Sequence, residues 1–164
     1  MKRSTVTLPN YMIGEDVYRK AGAILKKHGK TAVVVGGKTA MEKAADEIIE
    51  SLKADGISVT GKVWFGGDST YENVEMLKQD PAVQKADMIL AVGGGKACDT
   101  CKVLAEQTDK ALFTFPTIAS NCAPCTAFAI MYDAQGSFKD NFYSARPPLF
   151  VFINDRVIAQ APVK

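Results

Sequence analysis

The residues best suited to chemistry lie in one stretch, Asp87 to Lys102. Met88 to Val92 is a continuous apolar run, the pattern of a strand covered on both faces. Gly93, Gly94 and Gly95 follow at once. Having no Cβ, they permit a sharp turn and let a ligand approach the backbone amides. A helical pattern opens at Asp99, with Cys98, Cys101, Leu104 and Ala105 on one face. A helix start carries unpaired N–H groups and a partial positive charge. Strand, glycines and helix start together predict an anion site, most often for phosphate. Lys96 adds a point charge at its rim. The same residues would also serve a tight turn with no ligand, and one glycine turn alone does not separate the two.

Four cysteines are the next candidates. Cys98 and Cys101 form one C-x-x-C, and Cys122 and Cys125 form another. Count and spacing match a four-cysteine zinc site. The first pair, however, falls on an apolar helical face in a chain long enough to build its own core. Free, mostly buried thiols are therefore expected, and disulfides are not expected in a reducing compartment.

The surrounding pattern sets what must hold these residues. Val6 to Asn10 reads as a short strand or extended arm. Asp16 to Lys27 reads as a helix through Val17, Ala21, Ile24 and Leu25, ended by His28-Gly29. Thr31 to Val35 is a buried strand, followed by a second glycine turn at Gly36 to Thr39. The clearest amphipathic helix comes next, with Met41, Ala44, Ala45, Ile48, Ile49 and Leu52 on one face. Its charged face, Lys43 to Lys53, is expected to be solvated. Ser58 to Phe65 is a strand. Thr70 is positioned to cap a short helix that Pro81 ends. Leu112 to Phe115 is another strand, and Thr126 to Tyr132 and Ser137 to Tyr143 form a hairpin about Asp133-Ala-Gln-Gly136. A last apolar run spans Leu149 to Ile153. The alternation of strand and helix through residue 115 predicts an α/β fold with a doubly wound, mostly parallel sheet. Ligands bind beyond the carboxyl ends of such strands. The turns at Gly36 to Thr39, Gly93 to Lys96 and Thr117 to Ser120 all follow strands, so they are placed to converge on one nucleotide.

Composition excludes other classes. The chain has 164 residues and a formal net charge of +2, so one domain is expected, without the broad basic surface that nucleic acid requires. No apolar run is long enough to cross a bilayer. The first residues, Met1-Lys-Arg-Ser-Thr-Val6, lack a signal-peptide core. A cytoplasmic protein with a small-molecule ligand is expected, with no nucleic acid and no membrane as partner. Gly37-Lys38-Thr39 resembles the end of a P-loop, but the required earlier glycine is Ala32. No G-x-G-x-x-G follows the first buried strand. His28 is the only histidine, too few for a multi-histidine metal centre within this chain. Ser120 has no histidine in its motif, which argues against a serine hydrolase.

Four pieces in order carry a family resemblance: Gly93-Gly-Gly-Lys-Ala-Cys-Asp99-Thr100, Pro116-Thr-Ile-Ala-Ser120, Ala123-Pro124 leading to Tyr132, and Val157-Ile-Ala-Gln-Ala-Pro162. On them the chain resembles the N-terminal domain of the iron-containing (group III) alcohol dehydrogenase superfamily, in its glycerol dehydrogenase branch. The resemblance implies a Rossmann-like NAD(P)-binding domain. In it Gly94, Gly95 and Lys96 bind the cofactor pyrophosphate and Asp99 sits near the nicotinamide end. Thr117 and Ser120 hydrogen-bond the cofactor, and Thr126, Phe128, Ile130 and Tyr132 line its nicotinamide side. Asp99 would equally suit a first-turn carboxylate favoured by the helix dipole, and Phe128 and Ile130 would equally suit strand core. The family's reaction is hydride transfer between a nicotinamide and an alcohol or carbonyl. A divalent zinc or iron polarises the substrate oxygen, held by an aspartate and histidines of a helical C-terminal domain.

That domain would begin just beyond Ala161-Pro-Val-Lys164. Residues 1–164 are therefore expected to be the cofactor domain alone, with no catalytic residue and no metal ligand, and inactive by themselves. Two departures from the family pattern bear on specificity. Cys122 stands where glycerol dehydrogenases have a substrate-binding aspartate. A thiol accepts hydrogen bonds from a polyol poorly, and losing the carboxylate would suit an anionic 2-oxo acid, as in a related branch. At Gly37 and Lys38 no acidic residue is present to repel a 2′-phosphate, which favours NADP(H), whereas the family default is NAD(H). An exposed apolar cleft wall would favour a homo-oligomer. A non-catalytic nucleotide-binding or assembly module is the competing reading of the same residues.

Overall fold

The structure, a computed structural model, describes residues 7–161. Within them, strands β1 (Asn10–Ile13), β2 (Thr31–Gly36), β3 (Ser58–Trp64), β4 (Met88–Gly93), β5 (Ala111–Pro116) and β8 (Phe150–Ile153) form a sheet in the order β1-β8-β5-β4-β2-β3. Every pairing in it is parallel. Helices α1 (Ala21–Leu25), α2 (Lys38–Ala54), α3 (Tyr71–Gln79), α4 (Pro81–Lys85), α5 (Gly95–Thr108) and α6 (Asp155–Ala159) surround it. Strands β6 (Phe128–Tyr132) and β7 (Phe138–Tyr143) form a separate antiparallel hairpin.

Side-chain alternation divides the interior into two layers. Ala32 and Val34 of β2, with Met88, Leu90 and Val92 of β4, face α2 and α1. Val33 and Val35, with Ile89 and Ala91, face α5, α3 and the hairpin. A period of two puts successive residues on opposite faces, so a strand buried on both sides must be apolar throughout. Helix α2 buries Met41, Ala44, Ala45, Ile48 and Leu52 and leaves its other face to solvent. Each fully buried Ile or Leu contributes roughly 1.5–3 kcal/mol. Helix α5 is different. Ala97 to Ala105 are all buried, because the sheet covers one side of the helix and the hairpin and α3 cover the other.

The expected α/β architecture is present, with local differences. The first strand lies at Asn10–Ile13, later than Val6 to Asn10, and Val6 lies outside the described residues. Strand β1 forms where its backbone reaches β8, with Asn10 opposite Phe150, and pairing partners rather than local pattern set its position. The expected helix from Asp16 to Lys27 is a 3₁₀ turn, Val17–Lys20, followed by the five-residue α1. Gly22 lies against α2 there: its N–H donates to Ser51 Oγ at 3.0 Å, and a side chain would collide with the helix. Helix α5 starts at Gly95, four residues before Asp99, because glycine at the first turn hides the apolar period. Pro81 ends α3 but also opens α4 at its first turn, where its missing N–H has no intrahelical role. Thr70 caps α3, its Oγ1 accepting from Asn73 N at 3.1 Å. Asn154 caps α6, a helix that the sequence pattern left unmarked.

Candidate cofactor site

The three turns that follow β2, β4 and β5 meet at one edge of the sheet. The Gly37 N–H donates to Val92 O at 3.3 Å, and the Thr117 N–H donates to Gly93 O at 3.2 Å. Close approach explains the glycines. A Cβ on Gly36 would overlap the Val92 carbonyl, and one on Gly94 would stand 2.7 Å from Ile118 Cδ1. Gly93 has φ +150°, a backbone that side chains disfavour. Helices α2 and α5 start here on Gly37 and Gly94, and no side chain caps either. Their first-turn N–H groups are thus without a side-chain partner, at the sheet edge where a phosphate would be expected.

A cavity of about 260 Å³ opens beside the start of α5. Gly95, Lys96, Asp99, Asn121, Cys122, Ala123, Thr126, Phe128, Ile130 and Tyr132 line it. The structure therefore brings together eight of the residues singled out in the sequence. Gly94, Thr117, Ser120, Gly37 and Lys38 do not line it; Gly94 and Ser120 are the chain neighbours of the lining residues Gly95 and Asn121, and Gly37 and Lys38 stand at the start of α2. Along β6, half-buried Phe128, Ile130 and Tyr132 alternate with fully buried Ala129 and Met131. The first three are cleft wall and the other two are core.

Two charged residues are already engaged. Lys96 Nζ pairs with Asp68 Oδ2 at 2.8 Å and lies 5.1 Å from the Tyr132 ring centroid. Asp99 Oδ1 accepts from Lys102 Nζ at 2.8 Å, while Oδ2 accepts from the Ile130 N–H at 3.1 Å. Lys102 is 2% exposed. It also donates to Thr126 Oγ1 at 3.1 Å and to the Phe128 carbonyl. All three ammonium protons thus have acceptors. Asp99 and Lys102 tie helix α5 to the strand that forms the cleft wall, so Asp99 both faces the cavity and fixes its shape. Neither Lys102 nor Asp68 nor Asn121 stood out in the sequence. The available signal for Lys102 was its i, i+3 spacing from Asp99 inside an otherwise apolar helix.

At the start of α2, Lys38 Nζ sits 4.9 Å from the Trp64 ring centroid, a cation–π distance. The first turns of α2 and α5 contain no acidic residue.

The four cysteines differ in burial. Cys98 and Cys101 are buried, Cys125 is half-buried and Cys122 is exposed. Burial pushes the Cys98 thiol up to about 12 and Cys101 well above its usual range. Among the described residues no three of His, Cys, Asp or Glu converge on a metal position. The donor set of these residues therefore does not fit the family's zinc or iron. No helix among them is long and apolar enough to cross a membrane.

A parallel six-stranded sheet with helices on both faces and glycine turns at its carboxyl edge defines a Rossmann-like α/β domain. Residues 9–154 match the family model for iron-containing alcohol dehydrogenases, and the chain belongs to that family. It is 31% identical over 154 residues to a glycolaldehyde reductase of Halobacterium salinarum, covering 94% of this chain and 42% of that one. It is 33% identical over 157 residues to glycerol dehydrogenase 1 of Schizosaccharomyces pombe, covering 94% of this chain and 34% of that one. The crystal structure of glycerol dehydrogenase from Schizosaccharomyces pombe superposes with a TM-score of 0.87 at 28% identity, over 99% of this chain and 41% of the other. The chain thus spans between about a third and two fifths of the length of these relatives.

Proposed function

We propose that residues 1–164 are the NAD(P)-binding domain of a dehydrogenase that transfers hydride between the nicotinamide and a small alcohol, polyol or carbonyl compound. The observation that carries this reading is the meeting of two helix starts without side-chain caps and three turns at one sheet edge, next to a cavity of about 260 Å³. In this arrangement the backbone N–H groups at Gly94, Gly95 and Lys96 bind the pyrophosphate, with the α5 dipole behind them. Thr117 and Ser120 hydrogen-bond the cofactor from the β5 side. Thr126, Phe128, Ile130 and Tyr132 present the wall against which the nicotinamide lies, excluding water from one face. Asp99 and Lys102 hold that wall in position. Cys122 lies at the substrate end.

Relatives named for glycerol and glycolaldehyde point to a short hydroxylated substrate or its aldehyde. At the adenosine end Gly37 and Lys38 supply no carboxylate, and the Lys38 ammonium beside Trp64 suits a 2′-phosphate. Titration of the chain with NADH and NADPH, followed by nicotinamide fluorescence, tests both parts. Saturable binding is expected, tighter for NADPH. Failure of both to bind would overturn the cofactor assignment, and tighter NADH would overturn only the 2′-phosphate reading.

A further inference from the structure

We propose that Cys122 and Cys125 form a reversible intramolecular disulfide at the rim of the cleft, made by exchange with a low-molecular-weight disulfide. The two residues end a single 3₁₀ turn over Ala123–Cys125, whose first flanking residue is Cys122. The Cys125 N–H donates to Cys122 O at 2.9 Å. Such a turn brings the Cα atoms of its end residues within about 7 Å, and a disulfide needs about 4.4–6.8 Å. Side chains three apart eclipse in ideal 3₁₀ geometry; here Cys122 lines the cleft and Cys125 the adjoining groove beside Thr126 and Phe128, so closing the bond needs a side-chain rotation about a backbone already in the right turn.

The turn is held from both ends. Asn121 Oδ1 accepts from the Ala123 N–H at 3.1 Å. Pro124 fixes its own φ, and its carbonyl accepts from buried Thr114 Oγ1 at 2.9 Å. Closing the bond therefore costs little further ordering of the backbone.

Accessibility selects this pair from the four cysteines. Cys122 is exposed on the cleft and Cys125 is half-buried. Cys98 and Cys101 are buried, closed to a small disulfide in the folded chain; burial also raises the Cys125 thiol, but Cys125 has to meet only the neighbouring Cys122, and alkaline pH favours its thiolate. In a reducing compartment, the disulfides that do occur are typically transient and redox-sensing, and an exposed C-x-x-C in a turn is suited to that. The exchange has two steps. The Cys122 thiolate attacks the small disulfide, giving a mixed disulfide and releasing one thiol. The Cys125 thiolate then attacks Cys122 sulfur and releases the second thiol. Two protein thiols are oxidised, one small disulfide is reduced to two thiols, and the two protons pass to the released thiolates. The product removes the Cys122 S–H donor from the cleft wall. This inference does not depend on which ligand occupies the cleft.

The test is incubation of the intact chain with oxidised glutathione at pH 8, acid quenching, alkylation and peptide mass mapping. A peptide containing Cys122 and Cys125 that has lost two hydrogens is expected, reversed by dithiothreitol. Cys98 and Cys101 are expected to become alkylated only after denaturation. In Cys125→Ser, a stable glutathione adduct should accumulate on Cys122. Four thiols left free, a lasting adduct on Cys122 of the unsubstituted chain, a bridge to Cys98, or no adduct in the variant would each overturn the proposal.

Discussion

The units β2–α2 and β4–α5 share one plan and differ in what covers the helix. Each is an apolar strand, a glycine turn and a helix without a side-chain cap. Helix α2 packs on the sheet with one face, and most of its charged residues stay in water; Glu47 departs from the expected solvated face, being half-buried between Arg19 at 3.1 Å and Arg156 at 2.7 Å. Helix α5 also lies under the hairpin β6–β7, so nine consecutive residues from Ala97 are buried, including Asp99, Thr100 and Lys102. A second cover changes the meaning of a polar residue. On α2 an exposed charge such as Glu50 is solvated and nearly interchangeable. On α5 a charge is desolvated and must be satisfied by partners, and those partners are the cleft wall.

The largest expected effect tests that difference directly. Lys102→Met leaves Asp99 buried without its cation and removes donors from Thr126 and Phe128. Breaking a buried pair by removing one partner costs about 3–5 kcal/mol. Glu50→Gln on the exposed face of α2 is expected to change stability by less than about 0.5 kcal/mol. Urea unfolding of both variants checks this. Equal midpoints would mean that the buried pair carries no more than a surface charge.

A smaller effect concerns the thiols that only α5 contains. Burial raises Cys98 to about 12, with the neighbouring Lys102 ammonium pulling it down and Asp99 and Cys125 adding to the rise. The sign follows from proton binding. Below about pH 9 the thiol is protonated in both states, and no stability depends on it. Between about 9 and 12 the unfolded chain loses the proton while the folded chain keeps it, so stability falls as pH rises. At pH 10 the loss from this group is about 1.4 kcal/mol. Comparing the pH 8 to pH 10 change for the unsubstituted chain and Cys98→Ala isolates it from the tyrosines. The variant should lose less, and an equal loss would show that Cys98 is not desolvated.

The same contrast explains what was legible in the sequence. Helix α2 was plain because Met41, Ala44, Ala45, Ile48 and Leu52 repeat against a charged background. The sheet strands were plain because double burial leaves no polar residue in Val33 to Val35 or Met88 to Val92. The start of α5 at Gly95 was obscured because the glycines that build the turn also erase the period. Lys102 was not legible, since local spacing cannot say that a hairpin some 30 residues later will cover it. The edge strand β1 was displaced because β8, far along the chain, supplies its hydrogen bonds. Among the cavity-lining residues, those on β6 were named by the family resemblance, since the strand pattern alone left Phe128 and Ile130 equally suited to core. Asp68, the partner of Lys96, sits on a loop whose position no periodicity encodes.

The smallest expected change sharpens the comparison at the start of α2. Gly37 occupies the N-cap position with φ −73° and ψ 146°, a backbone that any residue adopts. A Cβ there would meet nothing nearer than 3.8 Å. Gly37→Asp therefore fits without strain and supplies the missing cap, worth only a few tenths of a kcal/mol over glycine. The same carboxylate would accept from a ribose hydroxyl and repel a 2′-phosphate. The variant should be marginally more stable in urea and should bind NADH more tightly than NADPH, reversing the order expected for the unsubstituted chain. Gain of stability with no change in cofactor order would separate the two roles. It would place the adenosine end away from α2 and leave the uncapped start of α5 as the element that holds the dinucleotide.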